Sequence, residues 1–188
     1  MDIINLIKAY SPVNEQEEKD REIMLGVLKN EPDCFLRSNE KGHFTVSSWI
    51  MNKELTKVLF CYHKIYDSWS WVGGHADGEQ DLAAVALKEA REETGTTPEK
   101  VFPDILSLEI LPVAGHMKNG KYVPSHIHYN ITFLITADEK APVRIKSDEN
   151  SGVKWISTDD IGLMSSEPWM IERVYNKITE KIEKSDFC

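Results

Sequence analysis

The chain has 188 residues, 41% hydrophobic and 28% charged, which suits one ordinary domain able to bury a sizeable core. Its 22 Lys and Arg against 31 Asp and Glu leave a formal charge of −9. That balance argues against a nucleic-acid polymer or an anionic membrane as partner, since phosphate contacts need a basic face. Small phosphorylated ligands stay open, because a bound divalent cation inverts the local field. Cys34, Cys61 and Cys188 are odd in number and lack a Cys-x-x-Cys pair, so neither a disulfide framework nor a structural zinc site is expected. No signal peptide and no run long enough to span a membrane is visible, and a cytoplasmic location is the expectation.

In chain order, residues 2–10 form a short amphipathic helix. A second helix begins near Asn14, where Asn14 and Glu17 have capping-box spacing. Its apolar residues come late, so its first turns are expected in solvent. From His43 the period changes to two. Residues 43–51 and 56–63 are strands of a hairpin turned by Asn52-Lys53-Glu54. Residues 64–80 hold Trp69, Trp71 and three glycines and are expected as a loop. A helix follows over 81–94, stopped by Gly95. Strands at 106–117 and 121–137 join through Asn119-Gly120, a two-residue turn signal. A loop at 138–151, a strand at 153–156 and helices at 159–164 and 167–184 complete the chain. The order implies an α/β (α+β) sandwich: a mixed sheet with helices packed on it, plus an N-terminal helical extension.

The helix at 81–94 carries the chemistry. At about 100° per residue, Leu82, Val85, Ala86 and Ala90 make its apolar stripe, yet Glu89 and Glu93 lie in that stripe and Glu92 on its edge. Glu89 and Glu93 are spaced i, i+4, where like charges repel, and partial burial strengthens the repulsion. Protons or cations must offset it. Three carboxylates within about one turn form an all-oxygen donor set, which favours Mg²⁺ or Mn²⁺ over zinc. The Gly73-Gly74 loop before the helix allows close backbone approach to a ligand.

Residues 74–96 resemble the Nudix box, Gly-x5-Glu-x7-Arg-Glu-U-x-Glu-Glu-x-Gly-U, with U a bulky apolar residue. Here it reads Gly74, Gln80 and then Lys88-Glu89-Ala90-Arg91-Glu92-Glu93-Thr94-Gly95-Thr96. Four positions depart from the pattern: Gln80 for Glu, Lys88 for Arg, and the small Ala90 and Thr96 at the U positions. Glu79, one residue early, is a candidate to replace the missing glutamate as a loop brace. Lys88 lacks the planar fork of arginine.

The resemblance implies an α/β/α Nudix fold and hydrolysis of a nucleoside diphosphate linked to another group X, with Mg²⁺ or Mn²⁺. By position, Glu89, Glu92 and Glu93 would hold metal, joined by the Gly73 carbonyl. Lys88 would orient a carboxylate, and Glu149, ahead of Trp155, is the candidate base, with Asp148 the alternative. Gly74, His75, Trp71, His126 and His128 are candidates for contacting the nucleotide substrate. His126 and His128 share one face of a strand. His43, His63 and His116 read as strand-end polar residues, and a three-histidine zinc site would need a convergence that sequence does not show. The family domain would span 43–165, after an extension at 1–42 and before a packed helix at 166–188. A homodimer is a family expectation. Two alternatives are a Nudix-fold sensor that binds without cleaving and an isopentenyl-diphosphate isomerase. The isomerase ranks low, because Gly73-Gly74-His75 lacks that enzyme's Cys and Pro.

Overall fold

The computed structural model of the chain describes residues 2–118 and 120–185. Helices α1 (Ile3–Ala9) and α2 (Glu15–Asn30) precede strands β1 (Gly42–Met51), β2 (Lys57–His63), β3 (Ser68–Ser70) and β4 (Val72–His75). Helix α3 (Leu82–Thr94) leads to β5 (Pro98–Val113), β6 (His116–Lys118), β7 (Lys121–Val123), β8 (His126–Ala137) and β9 (Asn150–Ser157). A 3-10 turn (Thr158–Asp160), α4 (Ile161–Met164), α5 (Pro168–Met170), a π turn (Ile171–Tyr175) and α6 (Asn176–Glu183) close the chain. Seven strands form one sheet in the order β3-β2-β1-β8-β5, with β4 paired to β1 and β9 to β2, while β6 and β7 make a separate ribbon. This is the α/β architecture expected from the order of elements. No helix among the described residues is long and apolar enough to cross a membrane.

Contacts divide the chain into two units. The first comprises Met1–Ser47, Gly73–Ala86 and Pro103–Phe133. Its core gathers Ile3, Ile7, Met24 and Val27 of the N-terminal helices with Phe44, Leu82, Leu108 and Phe133. Asn14 caps α2 by accepting the Glu17 amide at 2.9 Å, and the Glu17 carboxylate accepts the Val13 amide at 2.9 Å. The capping spacing therefore forms. Glu15, Glu18 and Lys19 of the first turns are exposed as expected, but Glu17 is fully buried and also accepts the Ser107 hydroxyl at 3.1 Å. A buried carboxylate is tolerated only with such donors around it.

The second unit comprises Ser48–Val72, Leu87–Phe102 and Leu134–Cys188. Leu59 pairs with Trp155 and Phe60 with Lys154 across β2 and β9. Ile50, Leu59, Cys61, Val72, Ala90 and Ile135 form its core. Trp49, Phe60 and Tyr175 add an aromatic cluster with centroids 5.2–5.7 Å apart. Asn52 organises the expected β1–β2 turn, its side-chain carbonyl accepting the Thr56 and Lys57 amides at 2.9 Å each.

Several expected elements differ: the strand expected at 106–117 is broken into β5 and β6, and that at 121–137 into β7 and β8. The stretch 64–80 contains β3 and β4 rather than a plain loop. A side chain at Gly73 would put Cβ 2.5 Å from the Val46 carbonyl oxygen, so glycine there serves close strand approach. At β3, Trp69 packs edge-on to Tyr62. Strand β5 begins at Pro98 and β9 at Asn150, both earlier than their apolar runs suggest. The closing helix is interrupted by a π turn at 171–175. In the Asn119-Gly120 turn, Gly120 adopts φ 76°, whereas Asn119 and Cys188 lie outside the described residues.

Candidate functional site

Helix α3 is held at both ends by the groups its sequence provides. Asp81 accepts the Ala84 amide at 3.1 Å, and that hydrogen bond holds its carboxyl below the usual range. Glu79 accepts the Gln80 and Asp81 amides at 2.8 and 3.0 Å, so a carboxylate braces this turn although position 80 is glutamine. Gly95 stops the helix at φ 68°, its amide donating to Arg91 at 3.0 Å.

In the second unit the structure brings Glu89, Glu92, Lys88, Lys146 and Glu149 together. Lys146 Nζ lies 2.9 Å from Glu149 and 3.9 Å from Glu92. Lys88 lies 3.6 Å from Glu89 and 3.8 Å from Glu92, a single-point contact to each where a guanidinium would fork. The Glu89 side chain is only 13% exposed. Burial pushes its carboxyl up, Lys88 and Lys146 oppose, and Glu92 and Glu149 reinforce the rise. Burial depresses the Lys146 ammonium, but the hydrogen bond to Glu149 and the fields of Glu149, Glu89 and Glu92 outweigh it, and the net direction is up.

Glu93 is buried, and the Asn150 amide donates to its main-chain carbonyl at 3.0 Å. The same Asn150 Nδ2 is 3.6 Å from Cys61 Sγ. Burial raises the Cys61 thiol, and the charges of Glu93 and Glu149 raise it further, so the thiol stays protonated. Glu93 and Glu149 thus act on one point from α3 and from the turn before β9. Lys146 and Asn150 carry no motif of their own. The one sequence signal is that Lys146 stands three residues before Glu149, a pairing distance only if a helical turn forms there.

The candidate residues of the glycine loop and of β8 fall in the first unit, except Trp71. Gly73, Gly74 and His75 end β4. His75, His126 and His128 gather around His43, with ring centroids 5.1, 5.0 and 5.1 Å from it. His43 does stand at the second position of β1, near a strand end, but it is buried. Burial lowers its imidazole, against a hydrogen bond to the Asn39 carbonyl. His128 is pushed down to about 2, by burial first and then by His75, His43, His126 and Arg37. Both His126 and His128 are half-buried. Elsewhere, His63 stacks on Tyr66 and His116 contacts the Ala114 carbonyl. Trp71, in the second unit, is half-buried edge-on to Tyr175 at 5.6 Å.

Glu89, Glu92, Glu93 and Glu149 carry oxygen donors of the kind a hard divalent cation prefers, but among the described residues the only group of three or more ligand atoms lying within 4.8 Å of one another is that of His43, His75 and His128. The fit has an observation behind it. Glu89 is raised by burial in a cluster only partly neutralised by two lysines, the condition under which a cation relieves like-charge repulsion.

The NUDIX domain family matches residues 41–179. No curated protein matches the sequence. Among solved structures, a NUDIX-family hydrolase from Clostridium perfringens aligns at 22% identity and TM-score 0.51, covering 75% of this chain and 96% of that one. A C. elegans Ap4A hydrolase, solved as a binary complex, aligns at 16% identity and TM-score 0.50, covering 74% and 94%. At these identities the likeness speaks for the fold. The family match spans well over half of the chain and contains the Glu89–Glu92–Glu93 cluster, and the chain belongs to the Nudix hydrolase family.

Proposed function

We propose that the chain hydrolyses the diphosphate linkage of a nucleoside diphosphate joined to another group, using Mg²⁺ or Mn²⁺ held by Glu89, Glu92 and Glu93. The observation that carries this reading is the convergence of Glu89 and Glu92 with Glu149 around Lys146, Glu93 and Glu149 both acting on Cys61 beside it. A divalent cation held by Glu89, Glu92 and Glu93 would supply positive charge to the diphosphate oxygens and make phosphorus more electrophilic. Glu149 accepts a proton from the attacking water as its oxygen bonds to phosphorus, and the bridging P–O bond breaks. Lys146 holds Glu149 in place through its 2.9 Å contact, and Lys88 holds Glu89 and Glu92 from the solvent side. The buried Asn150 amide fixes the last turn of α3 through the Glu93 carbonyl. Residues 43–165 are taken as the catalytic domain and a homodimer as the assembly, the latter checked by light scattering.

The test is hydrolysis of a pooled panel of nucleoside diphosphate derivatives with Mg²⁺ or Mn²⁺, products followed by mass spectrometry, beside Glu93→Gln. Cleavage of one member that is lost in the variant and with chelator is expected. Failure of every member to turn over, while one raises the melting temperature, overturns hydrolysis in favour of a ligand-binding sensor.

A further inference from the structure

His43, His126 and His128 lie outside the box and His75 at its start, and the proposed hydrolysis assigns none of them a step. Strand pairing explains how the four-histidine cluster forms. The Ile127 amide donates to the Lys41 carbonyl at 3.0 Å and sets the start of β8 beside β1. The Ala76 amide donates to the Phe44 carbonyl at 3.1 Å and sets the end of β4 beside the same strand. His43, His75, His126 and His128 are thereby carried to one place from three strands.

The nitrogens are arranged as ligands. One ring nitrogen each of His43, His75 and His128 lies within 4.8 Å of the other two. His43 Nδ1 is 3.1 Å from the Asn39 carbonyl, so Nδ1 carries the proton and Nε2 presents its lone pair. That Nε2 is buried and has no hydrogen-bond partner. His126 shows the same device: its Nδ1 is 2.8 Å from the Pro124 carbonyl, which leaves Nε2 with the lone pair. His126 Nε2 is 3.1 Å from His128 Nε2. Two nitrogens on one tetrahedral zinc, at Zn–N of about 2.0–2.1 Å, stand about 3.3 Å apart. The nearby cation Arg37 is already matched by a two-point ion pair with Asp77.

We propose that His43, His75 and His128 bind one Zn²⁺, with His126, outside that three-residue group but 3.1 Å from His128 Nε2, turning in as fourth ligand. Imidazole nitrogen favours zinc over the oxygen-seeking Mg²⁺, so this site and the glutamate set select different ions. The carbonyls of Asn39 and Pro124 act as outer partners that fix ring orientation. The proposal does not depend on the hydrolytic reading.

The test is zinc titration of the chelator-stripped full chain by calorimetry, with Co²⁺ absorption reporting coordination geometry. Wild type would run beside His75→Gln, His128→Ala and Glu93→Gln, with circular dichroism confirming that each is folded. His75→Gln, at a half-buried position, keeps the test open if His128→Ala fails to fold. One equivalent of zinc per chain is expected, with a tetrahedral Co²⁺ spectrum, undisturbed by excess Mg²⁺ or by Glu93→Gln. Binding should weaken in either folded histidine variant by more than the roughly 10–100-fold typical of losing an outer partner of a metal ligand. Absence of stoichiometric zinc, binding unchanged by the histidine variants, or binding lost in Glu93→Gln overturns the proposal.

Discussion

The side-chain amide of Asn150 donates to the main-chain carbonyl of Glu93 at 3.0 Å, fastening the first residue of β9 to the last turn of α3. Glu149 is the neighbour of one partner, and Glu93 is itself the other. This buried hydrogen bond, with the Arg144 amide donating to the Thr94 carbonyl at 2.7 Å, ties the end of α3 to the segment that carries the candidate base.

Asn150→Ala leaves the Glu93 carbonyl buried without that donor. It should lower unfolding stability by about 1–3 kcal/mol in urea titration. Turnover should fall more than substrate affinity, because the carboxylates lose their mutual placement rather than their chemistry. Turnover equal to wild type, measured on folded protein, would detach Asn150 from the site.

Lys146→Met removes an ammonium from among Glu149, Glu92 and Glu89. A unit charge at about 4 Å in water is worth about 1 kcal/mol, so half-maximal Mg²⁺ activation should fall about fivefold in concentration. Maximal turnover should drop as Glu149 loses its partner. Titrating activity against Mg²⁺ separates the two effects, and an unchanged activation constant would remove Lys146 from the cation's surroundings.

Asp81→Ala removes the α3 cap and should cost about 0.5–2 kcal/mol, whereas Asp81→Asn should cost much less. The Asp81 carboxyl is held below its ordinary 3.8 by the Ala84 amide, so the folded state binds its proton less readily than the unfolded one. Its stabilisation is complete above the unfolded value and is lost as pH falls through the lower, folded value. The gap between wild type and Asp81→Ala should therefore be constant at neutral pH and narrow only below about 3.8. Paired thermal melts across pH would show it, and a gap that narrows near neutrality would mean another group is responsible.

Gly73→Ala would place Cβ 2.5 Å from a backbone oxygen, that of Val46, which a side-chain rotation does not relieve. Overpacking of this kind should cost about 1–3 kcal/mol, read as a lower urea midpoint. Gly26→Ala is the control, because it meets nothing within 4 Å on an ordinary helix and should be neutral or stabilising. Equal effects at the two positions would refute close approach as the reason for glycine at 73.

The box shows where local pattern suffices. Helical period alone puts Glu89 and Glu93 on the apolar stripe, Asn14 and Glu17 at capping distance and Gly95 past a helix end. Each depends on residues within a few positions of one another, whose geometry is set by φ and ψ whatever the rest of the chain does. Glycine content misled at 64–80, since it signals freedom of backbone without saying whether that freedom serves a turn or close strand contact. The late apolar residues of α2 likewise hid the burial of Glu17, whose donor Ser107 is 90 positions away.

Sequence by itself determined the helix carboxylates, the caps and the family pattern. Only the tertiary structure decided that Lys146 stands among those carboxylates, that Asn150 ties β9 to Glu93, and that His43 meets His75, His126 and His128. The reason is reach. Periodicity specifies neighbours one turn or one pleat apart, whereas side chains separated by tens of residues meet only through strand order and register, which depend on the hydrogen bonding and burial of the whole sheet.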